Sequence, residues 1–200
     1  MNRKQQIIDT YNKSAELFAK KFDNLGARAS DVKEIFKIID KDNPKVLEIG
    51  CGNGRDTQEI LKHTSDYLGI DISKEMIKIA RQNNPKANFR VADIESFEFS
   101  VNLDIVLAFA SLIHTNKENF KIILEKIFKA LNPSGIILLS LKYGENYREI
   151  TKEDDFGMRT YYYYSDKDII EISNGFSVVK NEIRDIRDQK WLEIILQKPR

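Results

Sequence analysis

The chain has 200 residues, 42% hydrophobic and 32% charged, with 32 Lys and Arg against 31 Asp and Glu for a formal net charge of +1. That is one domain's length with enough apolar residues for a real core, and the charge balance removes a global electrostatic grip on nucleic acid. No run approaches the ~20 apolar residues of a membrane span, one cysteine makes no internal disulfide, and Cys51, His63 and His114 share no metal-ligand spacing.

These exclusions, with a polar helical pattern in place of an export leader from Met1 onward, predict a cytoplasmic protein with no membrane association and no bound metal. In chain order, Ile7, Ile8, Tyr11, Ala15, Leu17, Phe18 and Phe22 recur at helical spacing, and Val32, Ile35, Phe36 and Ile39 do so again, predicting two helices. Asp42-Asn43-Pro44 breaks the chain before a short apolar strand, Val46 to Ile49. A helix then begins at Asp56, a strand runs from Tyr67 to Asp71, and Ser73 caps another helix. Strands follow at 88–92 and 103–108. Asn116 to Leu131 is a long amphipathic helix, ended by Asn132-Pro133-Ser134-Gly135, and Ile136 to Leu141 is an aliphatic strand.

Residues 142–165 interrupt the alternation. A helix from Asp166 to about Ser173 and strands at 176–183 and 192–196 complete the chain, the short link between the last two implying a hairpin. Apolar strands alternating with helices indicate an α/β fold: a doubly wound, mostly parallel sheet covered by helices on both faces, with an antiparallel terminal hairpin strand. No composition break divides the chain, so residues 1–200 read as a single domain.

The segment Glu48-Ile49-Gly50-Cys51-Gly52-Asn53-Gly54-Arg55 turns a strand into a helix through three glycines. Glycine tolerates positive φ and lets backbone approach a ligand at a strand's carboxyl end. A dinucleotide fingerprint would need glycine where Arg55 stands, and a phosphate loop would need Gly-Lys-Ser/Thr. Glu48, two residues before the first glycine, suits a cation better than a pyrophosphate. Cys51 fits beneath such a loop as a small packable side chain.

This Glu-x-Gly-x-Gly-x-Gly pattern resembles motif I of the class I S-adenosylmethionine (SAM) methyltransferases, and the element order resembles their seven-stranded Rossmann-like sheet from about Tyr11 to Lys198. The resemblance implies a SAM-dependent methyltransferase releasing S-adenosylhomocysteine (SAH). Glu48, Gly50, Gly52 and Gly54 would surround the methionine part. Asp71 would accept from the ribose hydroxyls, cap the following helix, or both. Ile72 and Met76 would wall the adenine. Asp93 matches the residue that accepts from the adenine amino group, with Ile94 beside it, and an ordinary turn Asp is the alternative. Asp56 either approaches the methionine part or stabilises a helix start. Phe109 and Ala110 would line the cofactor side of the fourth strand's exit.

On the acceptor side the resemblance places Ser111 and His114, the latter as a general base or as loop support. Arg159 with Tyr161 and Tyr163 would make an aromatic wall with one anion-binding fork, unless the four tyrosines at 161–164 simply pack on the core. Residues 1–42 would form a helical lid to which Tyr11 contributes, and residues 143–165 a substrate-side insertion. Ser134 departs from the family's usual Pro-Gly-Gly turn, which predicts altered turn geometry. The acceptor implied is an oxygen or nitrogen of a small molecule. The alternatives are a tRNA, since the Arg159 segment is faintly similar to wobble-uridine methyltransferases, or a non-catalytic SAM-binding module. The protein would be a monomer or homodimer.

Overall fold

The computed structural model describes residues 3–200; positions 1 and 2 of the expected lid segment, Met1 included, lie outside the described residues. Three helices, not two, precede the first strand: α1 (Arg3–Lys13), α2 (Ala15–Leu25) and α3 (Ala29–Ile39). The first helical pattern divides at Ser14, whose hydroxyl donates to Phe156 O at 2.8 Å. This is a tertiary bond to a residue 142 positions away, and no Gly or Pro in the sequence announces the break.

Then β1 (Val46–Ile49), α4 (Thr57–Ile60), β2 (Tyr67–Asp71), α5 (Lys74–Asn83), β3 (Asn88–Val91), β4 (Leu103–Phe109), α6 (Lys117–Ala130) and β5 (Leu131–Lys142) alternate as expected. Ser73 caps α5 by accepting from Met76 N, and Asn116 caps α6 by accepting from Asn119 N. Strands β1 to β5 are parallel in the order β3-β2-β1-β4-β5. After α7 (Asp166–Ile172), strand β8 (Ser177–Ile186) turns into β9 (Gln189–Gln197), which lies antiparallel to both β5 and β8 and completes the seven-stranded sheet.

The two-residue period of the strands sorts the core into two layers. Leu47, Val106, Ala108, Ile137 and Leu139 meet α6 and α7 through Phe120, Ile123, Leu124 and Ile169. Val46, Ile105, Leu107, Ile136 and Leu138 meet α3, α4 and α5 through Val32, Ile35, Ile60, Ile77 and Ala80. Glu48 is therefore aimed at the second layer, where a carboxylate needs a partner.

The interruption after β5 is itself folded. Residues of β6 (Arg148–Asp154) and β7 (Gly157–Tyr163) pair antiparallel as a separate two-stranded sheet. Helix α1 and the Ser14 junction dock on it through Thr10 Oγ1 to Met158 O at 3.0 Å and the Ser14–Phe156 bond. Ser134 takes φ 63°, so its turn keeps a glycine-type backbone at a cost of about 1 kcal/mol rather than adopting another geometry.

Candidate active site

The carboxyl-terminal residues of β1, β2, β4 and β5, namely Ile49, Asp71, Phe109 and Lys142, line one cavity of about 970 Å³. This is the edge where a doubly wound sheet binds ligands. Helices α1 and α2 close one side with Tyr11, Phe18 and Phe22, and β7 closes another with Arg159 and Tyr161.

At one end the glycine loop takes φ 69°, 56° and 75° at Gly50, Gly52 and Gly54. A Cβ on Gly50 would lie 2.2 Å from the Ser111 Cβ, so only glycine fits there. Gly50 and Gly52 line the cavity, as do Ile72, Met76, Asp93, Ile94, Phe109 and Ala110. Gly54 does not; it packs against α5, where the Asn84 amide donates to its carbonyl at 3.0 Å, so it serves close helix–loop packing.

Three carboxylates, Glu48, Asp56 and Asp71, share this end. Glu48 is buried, and that burial, reinforced by the Asp56 charge, pushes its carboxyl up to about 8 against the hydrogen bond from Tyr67. The Tyr67 hydroxyl donates to Glu48 Oε2 at 2.5 Å and is held in turn by Thr57 at 3.0 Å. Asp56 accepts from the Arg28 backbone N at 2.8 Å and from the Arg55 guanidinium at 2.6 Å, so it joins the loop to α3 and makes no side-chain cap of α4. Asp71 accepts from Gly52 N at 3.0 Å and Ser73 N at 2.8 Å. Burial still raises its carboxyl against backbone bonds from Ser73, Gly52 and Ile72, and acceptor capacity remains for a ligand. Asp93 accepts from Glu95 N at 3.0 Å as a turn residue does, and from Lys4 of α1 at 2.7 Å.

Ser111 lies with this end, beside Gly50, and its buried hydroxyl has no partner within the protein. An orphaned buried hydroxyl on a cavity wall is a group prepared for a ligand.

At the opposite end His114 ends a single 3-10 turn, Leu112–His114. Its Nδ1 stands 2.5 Å from Thr160 O, which can only accept, so Nδ1 carries the proton and Nε2 accepts from the Tyr11 hydroxyl at 3.0 Å. Burial, with the charges of Arg159 and Lys142, pulls the imidazole down to about 4. In this geometry the imidazole is neutral with both nitrogens engaged, Nε2 by the Tyr11 hydroxyl.

Arg159 is buried, pairs with Asp154, and leaves its Nε without a partner. Its guanidinium lies 4.9 Å from the Phe18 ring centroid and 5.3 Å from that of Tyr161. Tyr163 is not on the cavity wall: it is buried with the Arg148 guanidinium over it at 4.7 Å. Of the four tyrosines, Tyr161 and Tyr162 line the cavity, whereas Tyr163 and Tyr164 pack away from it.

Three participants carry no sequence signal. Tyr67 reads as a strand aromatic, Arg28 as a loop cation and Lys142 as a strand end. Arg28 sits over Phe109 at 4.9 Å and reaches Glu193 at 3.1 Å and Ser140 at 3.1 Å. Only the strand register shows Tyr67 one strand from Glu48, Val46 opposing Tyr67 and Glu48 opposing Gly69.

A desolvated set of carboxylates beside glycines and an orphaned hydroxyl fits a cationic sulfonium amino acid bearing a nucleoside, and does not fit a pyrophosphate. Residues 46–135 match the family described as a methyltransferase domain. The phosphoethanolamine N-methyltransferase of Plasmodium falciparum is 26% identical over 185 residues, covering 86% of this chain and 69% of that protein. The malonyl-(acyl-carrier protein) O-methyltransferase of Bacillus cereus is 31% identical over 110 residues, covering 53% of this chain and 40% of the relative, so the chain spans less than half of that protein's length. Magnesium protoporphyrin IX methyltransferase from Synechocystis PCC 6803, solved with bound SAM, shares the fold at a TM-score of 0.75 and 18% identity, over 99% of this chain and 98% of that one. Residues 46–135 thus match a methyltransferase domain, and the glycine loop with the seven-stranded sheet ending in an antiparallel pair gives the chain the fold of a methyltransferase solved with bound SAM.

Proposed function

We propose that the protein transfers the methyl group of SAM to an oxygen or nitrogen of a small-molecule acceptor. The observation that carries this is the joining, in one cavity, of the carboxylate-lined glycine-loop end and the compartment walled by Tyr11, His114, Arg159 and Tyr161. Relatives named for an N-methyl and an O-methyl acceptor, phosphoethanolamine and malonyl-(acyl-carrier protein), support that pair of acceptor atoms.

When bound, SAM supplies a methyl group already activated on a sulfonium, so the protein's part is alignment and exclusion of water. Glu48, Asp56 and Asp71 would face the cofactor's positive charges, and Asp71 its ribose hydroxyls. Ser111 offers the free hydroxyl at the loop. Tyr11, tethered by His114, and Phe18, whose ring stacks on Phe156 at 4.4 Å, would wall the acceptor compartment. On this reading residues 3–39 act as the lid and the β6–β7 hairpin as the substrate-side wall.

The test is calorimetric titration with SAM and SAH, followed by SAH-release assays over a panel of hydroxyl, carboxyl and amine acceptors. Binding of both cofactor forms with turnover on at least one small acceptor is the expected outcome; absence of cofactor binding overturns the reading.

A further inference from the structure

The cavity's two ends differ in charge as well as in shape. Carboxylates dominate the loop end, whereas Lys21, Lys142 and Arg159 line the end walled by the hairpin. Lys142 is the last residue of β5 and is half-buried. Its ammonium lies 5.0 Å from the Tyr161 ring centroid, 5.2 Å from that of Trp191 and 5.5 Å from that of Tyr163. Its hydrogen-bond partner is an uncharged one, Gln189 Oε1 at 3.2 Å, and among the described residues no carboxylate pairs with it.

Arg159 touches the same Tyr161 ring from 5.3 Å. Its one carboxylate partner, Asp154, is 45% exposed and so weakly neutralising, and the Arg159 Nε is buried without a partner. Burial, followed by repulsion from Lys152, Arg159 and Lys21, pulls the Lys142 ammonium down to about 8. Two cations that flank one ring, both drawn out of water, with an unused N–H donor between aromatic walls, form a concentrated positive site. Ring faces offset part of that cost, and they leave the charge unneutralised.

We propose that Lys142 and Arg159 form an anion subsite, so that the acceptor carries a phosphate or carboxylate group held there while its nucleophilic atom faces the cofactor end. The word acceptor rests on the proposed function; the anion subsite rests on the two cations alone. The same residues set specificity: an uncharged acceptor of equal size would leave the Lys142 ammonium without a counter-charge and the Arg159 Nε without a partner. Because the ammonium is required, anion affinity should be full at neutral pH and fall as pH rises through about 8.

The chain's single tryptophan, Trp191, sits against Lys142 and gives a local readout. The whole protein, saturated with SAH, is titrated with inorganic phosphate and separately with malonate, chloride serving as the ionic-strength control, while Trp191 emission and the thermal midpoint are followed. A saturable emission change and a raised midpoint with either anion, and not with chloride, are expected, and the tighter of the two identifies the group as phosphate or carboxylate. Lys142→Met and Arg159→Lys should each weaken anion binding about tenfold or more while SAH affinity is kept, and Lys142→Arg should restore it. No saturable response to either anion, or equal affinity in Lys142→Met, overturns the proposal. SAH binding is measured in the same samples: anion binding without SAH binding would remove the methyltransferase reading and leave the subsite, and the converse would do the opposite.

Discussion

The Tyr11 hydroxyl in α1 and the His114 Nε2 at the exit of β4 lie 3.0 Å apart across 103 positions of sequence. The bond ties the first helix to the wall of the sheet's ligand edge, and it fixes His114 as the acceptor because Nδ1 is committed to Thr160 O.

Tyr11→Phe should therefore lower kcat/KM while costing about 1 kcal/mol of stability, the cost of leaving the half-buried His114 nitrogen unpaired. Chemical denaturation and steady-state kinetics measure the two. With the imidazole pulled down to about 4, the pH–rate profile should show no His114 inflection across neutral pH. An inflection near 6.5 that vanishes in His114→Ala would restore the base.

Glu48 predicts a pH dependence of both stability and binding. Its carboxyl is raised in the folded state from 4.5 to about 8, so between those values the folded protein holds a proton that the unfolded chain has released. The cofactor-free protein should lose stability as pH rises through that window. Cofactor positive charge favours the ionised form, so SAM binding near pH 7 should release a proton, visible as a buffer-dependent calorimetric enthalpy. Glu48→Gln should abolish that release and weaken SAM binding.

Asp71→Ala should cost more than cofactor affinity. Asp71 accepts backbone N–H groups from Gly52 and Ser73, so its loss should destabilise the fold by about 2–3 kcal/mol as well as weakening SAM. Parallel urea melts and titrations of Asp71→Ala and Asp71→Asn measure both. A variant as stable as the wild type would show that the loop does not depend on those bonds.

The glycines of the loop are not equivalent. Gly50→Ala puts a Cβ 2.2 Å from that of Ser111 at φ 69° and should lower the thermal midpoint severely. Gly52→Ala meets nothing nearer than the Met76 methyl at 3.4 Å, so it should cost about 1–2 kcal/mol for its φ of 56°.

The sheet was readable because β1, β4 and the second half of β5 are dominated by apolar residues, and the helix starts because Ser73 and Asn116 are capping residues placed before apolar periods. The β6–β7 hairpin was not: β6 is exposed at almost every position and carries no alternation, since it is fixed by backbone pairing and by hydroxyls from α1 and the Ser14 junction. The carboxylates at strand ends were legible because their places follow from the strands. Tyr67, Arg28 and Lys142 were not, because a buried donor, an ion pair spanning 165 positions and a cation among three rings exist only after distant segments meet.

The bonds from Thr10 and Ser14 to the carbonyls of Met158 and Phe156 have a kinetic consequence. Any motion that lifts α1 and α2 from the cavity either carries the hairpin along or breaks those bonds. Opening the cavity from that side therefore costs either a concerted movement of helices and hairpin or the loss of two hydrogen bonds.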